Sequence, residues 1–185
     1  MNNKLIVVGN GSSLLDKKNG ELIDSHEEVL RFNFFSTEKF EEYVGTKTTM
    51  WFTGTNFLEK NWRISLPYKK VFTFSWQWDE NKCLAHQGYL QAIKQCPIEK
   101  VGKNNIIEIQ KYVNDDKYFA YSSGSICIWR LLKDYDQITI TGFDWWEKRD
   151  KHHYNDNHII GTLHKPDLEK RFIFKLLEDN KIKFL

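Results

Sequence analysis

The sequence predicts an α/β fold with a mostly parallel, twisted sheet flanked by helices, and three observations carry that expectation. Lys4-Leu-Ile-Val-Val8 is a short, largely β-branched apolar run of the kind buried on both faces of a parallel sheet. It stops in Gly9-Asn-Gly-Ser-Ser13, where glycines let the backbone turn sharply and bring N–H groups close to a ligand. Further apolar runs then alternate with short helical segments, the pattern of strands joined by helical crossovers. At 185 residues the chain suits one Rossmann-like domain, residues 1–185, better than two.

Taken in order, Glu28-Val-Leu-Arg-Phe-Asn33 is the second strand, ending on Arg31 and Asn33, so two strand ends carry polar groups that could face one ligand. Ser36 to Tyr43 predicts a short helix capped at Ser36 and ended by Gly45. Thr48 to Thr53 and Lys69 to Ser75 are two more strands, the second followed by Trp76-Gln-Trp78. A helix is expected from about Lys82 to Gln95, stopped by Pro97, and another over Ile106 to Val113 before the loop at Asp115-Asp116. Tyr121 to Lys133 places Ser and Gly at a helix start with apolar residues at helical spacing. Its unpaired N–H groups make a second candidate anion site. Gln137 to Gly142 is a buried strand leading into Phe143-Asp144, residues 145–163 form a polar loop, and a helix to about Asp179 and a strand from Lys181 to Leu185 close the chain.

Composition excludes more than it selects. A hydrophobic share of 41%, a charged share of 28% and three prolines describe a globular chain with no low-complexity tract. The net charge of +2 is too small to imply a nucleic-acid partner, although the lysines leave room for weak attraction to anionic substrates or membrane surfaces. Cys83, Cys96 and Cys127 show no CxxC or Cys/His metal spacing, so free thiols are expected. With no apolar segment of the length of a signal peptide or membrane span, the expected location is cytoplasmic, with peripheral association at the inner membrane left open.

The stretches VVGNGSSL, IDSHEEVLRFN and VGTKTT (Val44 to Thr49) resemble the large sialylmotif of the eukaryotic-type sialyltransferases, glycosyltransferase family 29. Later stretches follow in matching order. SSG, an apolar helix and DQITITGF resemble the small sialylmotif, His153-Tyr-Asn-Asp156 the third short motif, and His164 with Glu169 the last. The resemblance spans nearly the whole chain, with residues 54–120 carrying little signal. It implies a sialyltransferase-type GT-A variant that moves sialic acid from CMP-sialic acid to a glycan or lipid-linked oligosaccharide acceptor, with inversion and without metal or other cofactor. It also implies a short bacterial or viral form serving lipopolysaccharide or capsule synthesis, with any missing part of the acceptor lid supplied by a partner.

Such a reaction needs a base for the acceptor hydroxyl, stabilisation of the departing phosphate, and exclusion of water from an oxocarbenium-like centre. By resemblance, His164 is the base and His153 assists the phosphate; a histidine titrates near neutral pH and can take a proton there. Asn10, Gly11, Ser12, Asn33, Ser122, Ser123, Gly124 and Tyr154 hold the donor, with Asn10 and Asn33 on phosphate and ribose or cytosine. Glu169 fixes the last helix or orients His164.

Several side chains have plainer readings. His152 and His158 suit structural or exposed places, Trp145 and Trp146 suit packing as well as a wall for cytosine or sugar, Arg31 suits a structural ion pair, and the lysines from Lys165 to Lys175 suit a solvated helix face. Luminal relatives pair a cysteine of the first motif with one of the second; Leu5 and Tyr135 stand at those positions here. The GNGSS turn is also similar to that of bacterial sialyltransferase family 42. The rival donor is CMP-Kdo, another 2-keto sugar acid. A different class of reading is a non-catalytic nucleotide- or glycan-binding module, against which His153 and His164 argue. A nicotinamide dehydrogenase is disfavoured because Leu14 stands where the third fingerprint glycine belongs.

Overall fold

The structure, a computed structural model, describes residues 4–54, 68–74, 96–115, 117, 120–144, 153–155 and 165–185. Its strands are β1 (Leu5–Val8), β2 (Glu28–Phe32), β3 (Met50–Gly54), β4 (Lys70–Phe74), β5 (Ile98–Val101), β6 (Ile138–Thr141) and β7 (Ile182–Phe184). They form one sheet in the order β5-β4-β3-β2-β1-β6-β7, and every pairing is parallel. The chain builds outward from β1 to β5, then returns to lay β6 on the free side of β1. That reversal opens a crevice beyond the carboxyl ends of β1 and β6, the place where open α/β sheets bind ligands.

Side-chain alternation explains the layers. In β1, Leu5 and Val7 enter a core shared with Leu30, Phe32, Met50, Phe52 and Phe72, while Ile6 and Val8 enter a second core with Val29 and Val44 on the opposite face. The larger core is covered by α3 (Lys103–Val113), α4 (Ser123–Leu131) and α5 (Pro166–Glu178). Helix α3 buries Ile106, Ile109, Gln110 and Val113, and α5 buries Glu169, Phe172, Ile173 and Leu176, each a single stripe at helical spacing. Asn114, in the left-handed conformation at φ 55°, closes α3, and Pro166 opens α5. The second face carries, among the described residues, α1 (Gly20–Asp24), α2 (Glu41–Val44) and the 3-10 helix Ser12–Asp16, whose Leu14 joins that core.

Three expectations change. Ser36 does not cap a helix; a turn with Lys39 at φ 69° intervenes, and α2 starts after Phe40. Helix α3 begins three residues earlier than Ile106. Ile98–Val101 adds an unforeseen edge strand, whose Glu99 pairs with Lys70 of β4 and with Arg130 of α4. The helix expected from Lys82 to Gln95 and the Trp76-Gln-Trp78 segment lie outside the described residues.

At the amino ends of the strands, Glu28 is buried and accepts hydrogen bonds from Lys69 and Tyr135. Burial alone would raise its pKa, but the bonds from Lys69 and Tyr135 outweigh it and the carboxyl sits below its ordinary value. A lowered folded-state pKa contributes stability above the unfolded-state value and loses it as pH falls through the folded one. We expect Glu28→Gln to cost about 1–2 kcal/mol at pH 7. In urea unfolding between pH 7 and pH 3 it should also flatten the decline that wild type shows below the ordinary carboxyl value of 4.5.

Candidate functional site

The crevice is built from backbone first. Gly9 N–H donates to Thr141 C=O and Gly11 N–H to Gly142 C=O, both at 2.8 Å, so the turn after β1 is zipped to the end of β6. A side chain on Gly9 would collide with the Gly142 carbonyl, and one on Gly11 would come within 2.6 Å of the Asp144 carboxylate. Glycine is required here because two strand ends touch backbone to backbone.

Asp144 then holds the turn. Its carboxylate accepts from Ser12 Oγ at 3.2 Å, from Ser13 N–H at 3.0 Å and from Ser13 Oγ. The Ser12 hydroxyl proton therefore faces Asp144 and leaves its lone pairs for a ligand. Asn10 donates through Nδ2 to Phe32 C=O at 3.3 Å, across to the end of β2. Asn33, left-handed at φ 43°, follows β2; its Oδ1 accepts from Gly54 N–H at 3.4 Å and its carbonyl from Trp51 Nε1 at 3.0 Å. The Nδ2 donor of Asn33 is not used in these bonds.

Helix α4 supplies the third wall. Ser122 caps it by accepting from Ser125 N–H at 3.3 Å. The carboxylate of Glu169, 1% exposed in the first turn of α5, accepts from Ser122 N–H, from Ser122 Oγ at 2.8 Å and from Ser125 Oγ. Gly124 lets the helix abut Phe143, since a Cβ there would lie 2.7 Å from that ring. Phe143 in turn packs edge-on against Phe32 with centroids 5.9 Å apart, joining the starts and ends of four elements. One carboxylate already occupies this helix start, so a neutral part of a ligand suits Ser123 and Gly124 better than a second anion.

Residues 153–155 dock onto the same strand ends. Tyr154 N–H donates to Asn10 C=O at 2.8 Å, and Asn155 Nδ2 to Phe34 C=O at 2.9 Å. The Tyr154 hydroxyl donates to Ser36 C=O and accepts from Ser36 N–H at 3.1 Å, while its ring meets Phe40 edge-on at 5.1 Å. Tyr154 is thus a buried clamp that sets half-buried His153 beside Asn10.

The structure therefore brings together Asn10, Gly11, Ser12, Asn33, Ser122, Ser123, Gly124, His153 and Tyr154. His164, His152, His158, Trp145 and Trp146 lie outside the described residues. Arg31 takes a different structural part from the ion pair expected. Buried at 1% exposure, it donates to Val44 C=O at 2.6 Å and to Lys47 C=O and Thr48 Oγ1 at 3.1 Å; burial pulls its pKa down to about 10. Glu169 bridges to α4, which the sequence did not indicate. Asp144 and Asn155 were also missed as site residues. The one available signal was Asp144 at a strand end facing the Ser12-Ser13 turn. Among the described residues no three His, Cys, Asp or Glu side chains gather as a metal site. Asp134-Tyr-Asp136 has an Asp-x-Asp spacing, but it precedes β6 at the opposite end of the sheet, with Asp134 bonded to Arg130 at 2.9 Å.

Residues 3–72 match the profile described as Glycosyltransferase family 29 (sialyltransferase). The chain is 48% identical over 54 residues to the beta-1,6-galactosyltransferase GALT29A of Arabidopsis thaliana, covering 29% of this chain and 14% of that protein. It is 29% identical over 192 residues to the CMP-N-acetylneuraminate-beta-galactosamide-alpha-2,3-sialyltransferase 1 of Sus scrofa, covering 96% of this chain and 56% of that one. The chain thus spans about half the length of that relative. A mammalian sialyltransferase crystal structure superposes with a TM-score of 0.71 at 22% identity, over 98% of this chain and 68% of that one. A second crystal structure of a mammalian sialyltransferase, in complex with Gal-beta-1-3GalNAc-ortho-nitrophenol, superposes with the same TM-score.

Removing the Glu169 charge tests the α5–α4 bridge. We expect Glu169→Gln to lower unfolding free energy by about 1–3 kcal/mol in urea, because a carboxylate that accepts three hydrogen bonds becomes an amide that accepts fewer.

Proposed function

We propose that this chain is a member of glycosyltransferase family 29, whose profile its residues 3–72 match, and that it transfers sialic acid from CMP-sialic acid to a hydroxyl of a glycan acceptor, inverting the anomeric carbon and using no metal. The observation that carries the reading is the convergence of the β1 and β2 ends, the α4 start and residues 153–155 on one crevice at the switch in strand order. The similarity to the Sus scrofa sialyltransferase along nearly the whole chain supports the donor class.

In this mechanism the acceptor oxygen attacks the anomeric carbon as its proton passes to His164. The bond from that carbon to the phosphate oxygen breaks, its electron pair leaves with CMP, and His153 donates a hydrogen bond to the departing phosphate. The free Nδ2 of Asn33 suits a phosphate oxygen, which only accepts. The α4 start, already bearing the Glu169 carboxylate, suits the neutral nucleoside through Ser123 and Gly124. A single leaving phosphate needs less neutralisation than a diphosphate, which fits a site without metal.

A relative named a galactosyltransferase shows that the donor sugar differs among proteins similar to this chain. Calorimetric titration with CMP, CMP-sialic acid, CMP-Kdo and UDP-galactose, first without and then with divalent metal, therefore tests the reading. We expect metal-independent binding of CMP and tightest binding of CMP-sialic acid; no binding of any cytidine nucleotide would overturn it. For the base, we expect His164→Ala to lower turnover by about 10²–10⁴-fold while CMP affinity stays within about twofold. Undiminished turnover would remove His164 from that role.

A further inference from the structure

Two carboxamides at the crevice have their orientation fixed by what they touch. A backbone carbonyl only accepts, so Asn10 must turn Nδ2 toward Phe32 C=O and Asn155 must turn Nδ2 toward Phe34 C=O. The opposite end of each amide is then an oxygen. Both oxygens, Asn10 Oδ1 and Asn155 Oδ1, are buried and have no hydrogen-bond partner. Buried polar atoms are nearly always satisfied, so an unpartnered pair marks a place where a donor is missing.

The two amides belong to one construction. Tyr154 N–H is bonded to Asn10 C=O, which puts Asn155 one residue from that joint. Their anchoring carbonyls, of Phe32 and Phe34, are two residues apart, at most about 7 Å of chain. Each residue as a whole is half-buried, so the amides lie in the outer layer at the strand ends instead of deep in the core. Asn33 has the reverse polarity, because its Oδ1 accepts from Gly54 N–H and its nitrogen is left over. The crevice thus offers a donor at Asn33 and acceptors at Asn10 and Asn155.

We infer that Asn155 is a specificity-determining residue and that, with Asn10, it forms a subsite of paired carbonyl acceptors for hydroxyl or amino groups of the nucleoside. This rests on the proposed CMP-sugar reading and assigns ends within it. Phosphate oxygens, lone pair against lone pair, are turned away from Asn10 and Asn155 and directed to the Asn33 side. A cytidine presents three kinds of matching donor: the 2′-hydroxyl, the 3′-hydroxyl and the 4-amino group.

The test is calorimetry with CMP, 2′-deoxy-CMP, 3′-deoxy-CMP and N4,N4-dimethyl-CMP on wild type, Asn10→Ala and Asn155→Ala. We expect at least one analogue to bind wild type about tenfold more weakly than CMP. Asn155→Ala should weaken CMP by a similar factor while leaving that analogue nearly unchanged, the signature of one shared hydrogen bond. Wild-type binding of all three analogues as tightly as CMP would overturn the subsite and leave the CMP-sugar reading standing. It would mean that water alone satisfies the two oxygens, and this needs no variant to fold. Equal losses for CMP and every analogue in Asn155→Ala would likewise overturn it, whereas failure of wild type to bind CMP would overturn both readings.

Discussion

The join between the β1 turn and the end of β6 is the constraint on which the remaining site geometry depends. Two N–H···O=C bonds, from Gly9 and Gly11 to Thr141 and Gly142, continue the parallel pairing past the strands themselves. The fit is tight on both sides. Gly142, at φ 71°, is packed so closely under Leu14 that a Cβ would lie 2.7 Å from that side chain. Because the backbones meet, Asp144 is delivered to Ser12 and Ser13, and Phe143 is delivered to Gly124 and Phe32. A side chain at either turn glycine would separate the strand ends and move the donors aimed at the crevice.

Two carboxylates brace the site, Asp144 at this join and Glu169 at the start of α4, and both are consumed internally. Asp144 takes three donors from the first turn, and Glu169 takes three from the start of α4. A bare carboxylate would repel an anionic ligand, but one surrounded by hydroxyl and N–H donors acts as a brace. The groups left over are amides and backbone N–H groups, whose polarity is set by neighbouring peptides. Glu169 also ties the helix that follows His164 to the helix that begins with Ser122, so two separate motifs hold one wall in common.

Much of the fold was legible because a strand buried on both faces is predominantly apolar: β1 is apolar throughout, and β2, β3, β4 and β6 are mostly apolar or β-branched, with Glu28, Arg31 and Lys70 as the charged exceptions. Strand β5 was not, since Ile98–Val101 lies at the edge and carries Glu99 and Lys100, whose charges look like loop until Arg130 and Lys70 meet Glu99. The glycine turn and the SSG helix start could be read because glycine and serine at those places have local reasons. Asp144 and Asn155 have none. Their partners lie more than a hundred residues away in sequence, so only the sheet order shows what they hold. For Tyr154 the motif identified the position but not the direction of the ring, which is set by Ser36 and Phe40.

The opposite end of the sheet is held by a cluster around a buried carboxylate. Here Leu5 is 2% exposed in the larger core, and the Tyr135 hydroxyl donates to Glu28, which also takes Lys69, while Lys4 lies 5.5 Å over the Tyr135 ring. This cluster stabilises the folded chain and depends on the charge of Glu28. It fastens the entrances of β2, β4 and β6 together, upstream of the strands whose exits carry the site. With the entrances fixed, the exits can be as glycine-rich as ligand approach demands, and the positions of Asn10, Asn33 and Asp144 are inherited from the sheet instead of from the loops that bear them.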